Sequence, residues 1–168
     1  MQQLVAFDQK LSARLAIPRT ARFLRLLALV AAHSGDSPLW LLGAVAALIW
    51  GGSAWWGFGG RVILGTLVAG TATTVLKWLF RRERPPGESL GFYSWFDRHA
   101  FPSGHAGRCA CLAVLLVPLL PTWVSVLMAL WVGLVGLARV ALQVHFSSDI
   151  AGGWMAGLLT GLALHLVF

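Results

Sequence analysis

Residues 122–144, "TWVSVLMALWVGLVGLARVALQV", are the stretch on which the fold turns. A bilayer's hydrocarbon core takes about 20 apolar residues to cross as a helix, and this run supplies them with one formal charge, Arg139. The whole chain has the same character. Its 168 residues are 58% hydrophobic and 11% charged, with a mean hydropathy of +0.75. A soluble domain sits nearer half apolar and a quarter charged. Long unbroken apolar runs, rather than short alternating ones, argue against an outer-membrane barrel. The reading is all-α: a polytopic membrane helical bundle in a single domain, residues 1–168.

Four further segments read as spans: Leu39–Trp56, Arg61–Phe80, His105–Leu120 and Asp149–Phe168. With Thr122–Val144 they make five. Gly57 to Gly60 and Pro121–Thr122 read as the tight turns between antiparallel neighbours. Residues 1–35 read as an interfacial helical region. Leu4–Ile17 mixes apolar residues with Asp8, Lys10, Ser12 and Arg14, which suits a helix lying in the membrane surface. Pro18 restarts the chain, and Phe23–Ala32 is read as a second interfacial helix, with a sixth span as the alternative. Asp8, Gln9 and Lys10 interrupt any apolar core of a cleavable signal. Residues 81–104 are the one sizeable polar connection, an expected active-site loop whose aromatic middle, Phe92, Tyr93, Trp95 and Phe96, suits a headgroup layer.

The net charge of +7 suits anionic headgroups better than nucleic acid, since most of the chain is expected in lipid. Cys109 and Cys111 lie two apart, on nearly opposite sides of a helix, so no disulfide joins them. Nothing in the sequence sets an oligomeric state. Span parity carries more information. The turns after the second and fourth spans, and the approach to the first, all fall on one membrane face. Nearly every ionisable residue is therefore expected there.

Three clusters meet on that face. In "VLKWLFRRERPP", residues 75–86, Lys77, Arg81 and Arg84 would share one side if the helix continued. Membrane anchoring is the bland account of such cations. In "FPSGHAG", residues 101–107, Pro102 and Ser103 start a helix and Gly104 admits close approach. Free amides there attract an anion, and His105 stands beside them. In "ARVALQVHFSSD", residues 138–149, Arg139 is a costly intramembrane charge of the functional kind. His145 and Asp149, four apart, bring an imidazole and a carboxylate into reach. Three cations and aimed amides suit a phosphoryl group, and a carboxylate-oriented imidazole is a nucleophile or base. A metal among three cations is disfavoured.

Lys77, six residues, then Arg84-Pro85; Pro102-Ser103-Gly104-His105; and Arg139, five residues, His145, three residues, then Asp149: in this order the motifs resemble the three signatures of the type 2 phosphatidic acid phosphatase family, which also includes the soluble vanadium haloperoxidases. The resemblance implies a membrane lipid phosphatase. His145 would attack phosphorus and carry a phosphohistidine, with Asp149 orienting it. His105 would protonate the departing lipid oxygen. Lys77, Arg84, Arg139, Ser103 and Gly104 would hold the phosphate oxygens, and no metal or other cofactor would be needed. Ala138 departs from the usual serine, an expected weakening of phosphate binding.

The implied substrate is a phosphorylated lipid within the bilayer: phosphatidic acid, phosphatidylglycerol phosphate, or a polyprenyl phosphate or diphosphate, with lipid A phosphates equally open. A vanadate-dependent haloperoxidase-like enzyme and a non-enzymatic membrane scaffold are the alternatives. The distribution of Lys and Arg favours a cytoplasmic site, whereas many bacterial relatives act on the outer side of the inner membrane. The expectation adopted is an inner-membrane protein with an extracytoplasmic site. On the same face Asp36, His33, Glu83 and His99 are candidates for tuning specificity.

Overall fold

A computed structural model of the chain describes residues 2–86 and 98–168. The aromatic residues Phe92, Tyr93, Trp95 and Phe96 and most of the expected active-site loop lie outside the described residues. Among those described, seven α-helices follow one another: α1 Gln2–Arg14, α2 Arg22–His33, α3 Ser37–Trp50, α4 Trp56–Phe80, α5 Gly104–Leu116, α6 Thr122–Ala141 and α7 Ser147–His165. Short 3₁₀ turns, Ser53–Trp55 and Val117–Leu119, precede α4 and extend α5. The all-helical architecture is as expected.

α4 and α6 are long and apolar enough to cross a membrane. At 1.5 Å per residue, the 25 residues of α4 reach about 37 Å and the 20 of α6 about 30 Å. Large apolar side chains stay exposed along these helices and their neighbours, among them Leu42, Ile49, Leu67, Val75, Leu130, Leu134, Leu158 and Leu162. In water such surface would be unfavourable by roughly 25 cal/mol per Å², and a lipid environment removes that cost. The 12 residues of α2 extend only about 18 Å, less than the roughly 30 Å hydrocarbon core.

α5 and α7 form the central pair, and α4 packs on both. The seam is built from glycine. Gly153, Gly157 and Gly161 recur every fourth residue on α7, and a Cβ at Gly157 would lie 2.0 Å from the Gly107 carbonyl oxygen of α5. Helices meet this closely only where small residues let the backbones touch. Around the pair, α3 lies on α4, and α2 and α5 each pack on α6.

Two boundaries differ from the sequence reading. The turn expected at Gly57–Gly60 is helical, and the chain instead reverses at Gly51 and Gly52, where Gly52 has φ +66. Gly59 serves packing rather than turning, since a Cβ there would meet Leu48 at 2.7 Å. The second difference lies at the other end of α4. Arg81 adopts a left-handed conformation, φ 49, and ends the helix. Lys77, Arg81 and Arg84 therefore do not share a helix face. Lys77 is buried in the last turn, Arg81 turns back to bond the Trp78 carbonyl, and Arg84 lies beyond on non-helical chain.

Candidate active site

The end of α4, the starts of α5 and α7, the end of α6 and the α2–α3 turn converge at one end of the bundle. Each junction has a bond that fixes it. The Ser103 amide donates to the Asp149 carbonyl at 2.9 Å, joining the second and third clusters through backbone alone. Arg84 Nη1 donates to the Val144 carbonyl at 3.0 Å, bringing in the first. The chain just after α4 is tied as well, because the Arg82 carbonyl accepts from Ala100 N at 2.8 Å.

His145 sits between α6 and α7. α6 ends at Ala141, Gln143 takes φ 56, and the chain swings so that Val144 N bonds the Arg139 carbonyl at 3.1 Å. This places His145 and Asp149 in full burial, 0% exposed, with Nδ1 of the ring 3.6 Å from Asp149 Oδ2. That separation is longer than a made hydrogen bond. Neither ring nitrogen of His145 has a hydrogen-bond partner among the described residues. Burial, then the positive charges of Arg139, Arg84 and Lys77, hold the His145 pKa well below its ordinary value, so the ring is neutral near pH 7.

Two of the cations around it are withdrawn from solvent, while Arg84 is half-buried. Lys77 is 7% exposed and Arg139 2%. Ser103 caps α5, its hydroxyl accepting from Ala106 N at 3.5 Å, and it is buried together with Gly104. Every residue singled out by the three motifs thus lies at this end of the bundle. Ala138 does not complete a phosphate contact here: its methyl is buried in an apolar cluster with Ala28, Ala32, Leu142 and Val144, on the side of α2. Cys109 and Cys111 are both free and buried.

Several residues here escaped the sequence reading. Arg82 is one of the cations of residues 75–86 whose bland account was membrane anchoring, and it makes specific contacts instead. Its guanidinium bonds Asp149 Oδ1 at 2.9 Å and Asp8 Oδ2 at 2.7 Å, donates to Ser148 Oγ, and lies 4.5 Å from the Phe146 ring centroid. Asp8 in turn accepts from the Ser148 amide at 3.0 Å and from its hydroxyl. Burial alone would raise the Asp8 carboxyl, but the bonds from Ser148 and Arg82 outweigh it and lower its pKa. Ser12 accepts from Ser147 N at 2.9 Å, and its carbonyl accepts from Gln143 Nε2 at 2.7 Å. Helix α1 is thereby latched to the first turn of α7. Asp36, a specificity candidate from sequence, instead meets His105: Oδ1 lies 2.6 Å from Nε2. Charge alternation in sequence gives no hint of either contact, because partners lie 69 to 140 positions apart.

Cations, helix-start amides and two histidines are gathered at one end of a helical bundle, a set of groups whose chemistry suits a phosphoryl group. The PAP2 superfamily model matches residues 58–168, and the chain belongs to that superfamily. Phosphatidylglycerophosphatase B of Bacillus subtilis is 38% identical over a 110-residue alignment covering 58% of this chain. That alignment covers 53% of the relative, about half its length. Among solved structures, the transmembrane PAP2-type phosphatidylglycerolphosphate phosphatase from Bacillus subtilis superposes with a TM-score of 0.75 at 28% identity, over 98% of this chain and 85% of the other. Aquifex aeolicus LpxE shares the fold, with a TM-score of 0.74 at 20% identity over 95% and 94%.

Proposed function

We propose that this protein is an integral membrane lipid phosphatase, a single domain over residues 1–168. It hydrolyses a terminal phosphate monoester or diphosphate of a lipid through a phosphohistidine, without metal. α3 to α7 serve as five spans, with the 3₁₀ turn lengthening α5, while α1 and α2 lie at the interface. The site faces the headgroup layer of the inner membrane, on the extracytoplasmic side.

The observation that carries the reading is the state of His145. It is a fully buried, neutral imidazole with unmade hydrogen bonds among the described residues, set amid the charges of Arg139, Arg84 and Lys77. A neutral ring has a lone pair to give. Because Nδ1 faces Asp149, Nε2 is the attacking atom. It forms the N–P bond as the bond from phosphorus to the lipid oxygen breaks. His105 donates a proton to that oxygen, and the lipid alcohol leaves. Water then attacks phosphorus, His105 takes its proton, and phosphate departs with His145 regenerated. Lys77, Arg84 and Arg139, with Ser103 and the Gly104 amide, offset charge on the phosphoryl oxygens, which is the main demand of this transition state.

Similarity to the Bacillus subtilis phosphatases makes phosphatidylglycerol phosphate the first substrate to test, ahead of phosphatidic acid and polyprenyl phosphates or diphosphates. The experiment is phosphate release from these lipids in detergent micelles, by wild type and His145→Ala. The expected result is release by wild type, unchanged by a chelator, and none above background for the variant. Release by His145→Ala at the wild-type rate would overturn the reading.

A further inference from the structure

The α2–α3 turn lies outside the segment that the PAP2 model matches, and the reaction steps above make no use of it. Yet it delivers a carboxylate to His105. Asp36 Oδ1 is 2.6 Å from His105 Nε2, and Oδ2 is 2.9 Å from His33 Nδ1. One carboxylate therefore bridges two imidazoles, an inner one on α5 and an outer, exposed one at the end of α2. Each oxygen accepts a ring N–H, which fixes the tautomer: with Nε2–H committed to Asp36, Nδ1 is the nitrogen that His105 turns to the substrate.

The turn is built to hold this geometry. Trp131 Nε1 of α6 donates to Ser34 Oγ at 2.8 Å, and Trp40 Nε1 of α3 donates to the Ser34 carbonyl at 2.9 Å. The two indoles pack with centroids 5.1 Å apart. Asp36 N closes the turn on the His33 carbonyl at 3.0 Å. Gly35 allows the approach, since a Cβ there would stand 2.8 Å from Cys109 Sγ and 3.2 Å from Val135 Cγ1. Two tryptophans and a glycine from three elements thus press one aspartate against one histidine. Burial raises the Asp36 carboxyl, but the bonds and charges of His105 and His33 outweigh it and bring it down to about 2. The group is an anion throughout the working pH range.

We propose that Asp36 is the positioning residue of His105, clamped from outside by His33, and that it supports the proton donation that expels the lipid alcohol. The proposal rests on the lipid phosphatase reading above. A fixed anion behind an imidazole orients it and stabilises its protonated form, the species that gives the proton. Only leaving groups that need a proton should feel the loss.

The test compares kcat/KM for dioctanoyl phosphatidic acid, an alkyl leaving group, with that for p-nitrophenyl phosphate, whose phenolate leaves unprotonated. kcat/KM reports through the first irreversible step, here the cleavage of the phosphorus–oxygen bond. Asp36→Asn should lose roughly 10- to 100-fold on the alkyl substrate, within the range of general-acid contributions, and under about threefold on the aryl one. Asp36→Glu should recover part of the alkyl rate. His33→Ala, an exposed change that leaves the fold intact, should show the same selectivity at about threefold. Equal losses on both substrates, or no loss in either Asp36→Asn or His33→Ala, would overturn the proposal. His145→Ala runs alongside: inactivity on both substrates upholds the phosphatase reading independently, while retained activity removes that reading and this one with it.

Discussion

His145 and His105 each face an aspartate, yet the two pairs are made differently. His145 and Asp149 are four residues apart, wholly buried and 3.6 Å from each other. His105 and Asp36 are 69 residues apart, partly exposed and 2.6 Å from each other. The buried pair comes from a single turn of chain entering α7, so its members cannot be separated by movement between helices. The second pair depends on the α2–α3 turn docking against α5. A nucleophile benefits from a fixed, dry setting. A proton donor needs only a well-oriented anion at its back.

The sharpest way to break the first pair is Asp149→Asn. Asp149 Oδ2 also accepts from Phe146 N at 2.7 Å, and Oδ1 anchors Arg82. Removing its charge should cut phosphate release at least a hundredfold, on the scale of general-base losses. It should also lower stability by about 3 kcal/mol, as expected when one partner of a buried ion pair is lost. Thermal unfolding in detergent, read beside the rate, checks both.

Gly157→Leu attacks the frame that both pairs share. Even a Cβ would overlap the Gly107 carbonyl, so α5 and α7 must part. A destabilisation of about 3 kcal/mol, at the upper end of overpacking costs, should accompany loss of activity. A variant that stays as stable as wild type would mean that the seam is not tight.

Arg82→Met should act on the first pair alone. It removes the link between Asp149 and Asp8 and loosens α1, whose bonds from Ser12 and Asp8 to Ser147 and Ser148 remain. A drop of roughly tenfold in phosphate release is expected, about the effect of losing one charge-assisted hydrogen bond. Limited proteolysis should cut near residues 15–21 sooner than in wild type.

The smallest effect separates the pairs by pH. The Asp36 pKa falls from 3.8 to about 2 on folding. A lowered carboxyl stabilises the fold above its unfolded pKa, and that contribution disappears as pH falls through the folded value. Wild type should therefore lose more stability than Asp36→Asn between about pH 4 and pH 2. Melting temperatures of the two proteins across that range check the sign, and parallel curves would show Asp36 to be uncoupled.

Much of this site is legible in the chain. Type and spacing single out Lys77, Arg84, Ser103, Gly104, His105, Arg139, His145 and Asp149, span parity led to the expectation that they share one face, and the structure gathers them at one end of the bundle. The errors are instructive. Arg81 ends α4 in a left-handed conformation, which a helical-wheel argument does not foresee in a stretch with no glycine before Pro85. The reversal at Gly52 rather than Gly57–Gly60 arises because glycine serves turning and close packing equally well. The GxxxGxxxG repeat at 153, 157 and 161 was visible as sequence, and attention to small-residue spacing would have predicted the α5–α7 seam.

The sequence by itself determined the helical class, the membrane-facing character and the motif residues, because apolar periodicity and local spacing are properties of neighbouring positions. Only the tertiary structure decided that Arg82 is shared by Asp149 and Asp8 and that Asp36 reaches His105. Those contacts join residues from distant helices, and which of many charged side chains meet is set by how closely the backbones pack. Here glycines at 35, 153 and 157 allow that closeness.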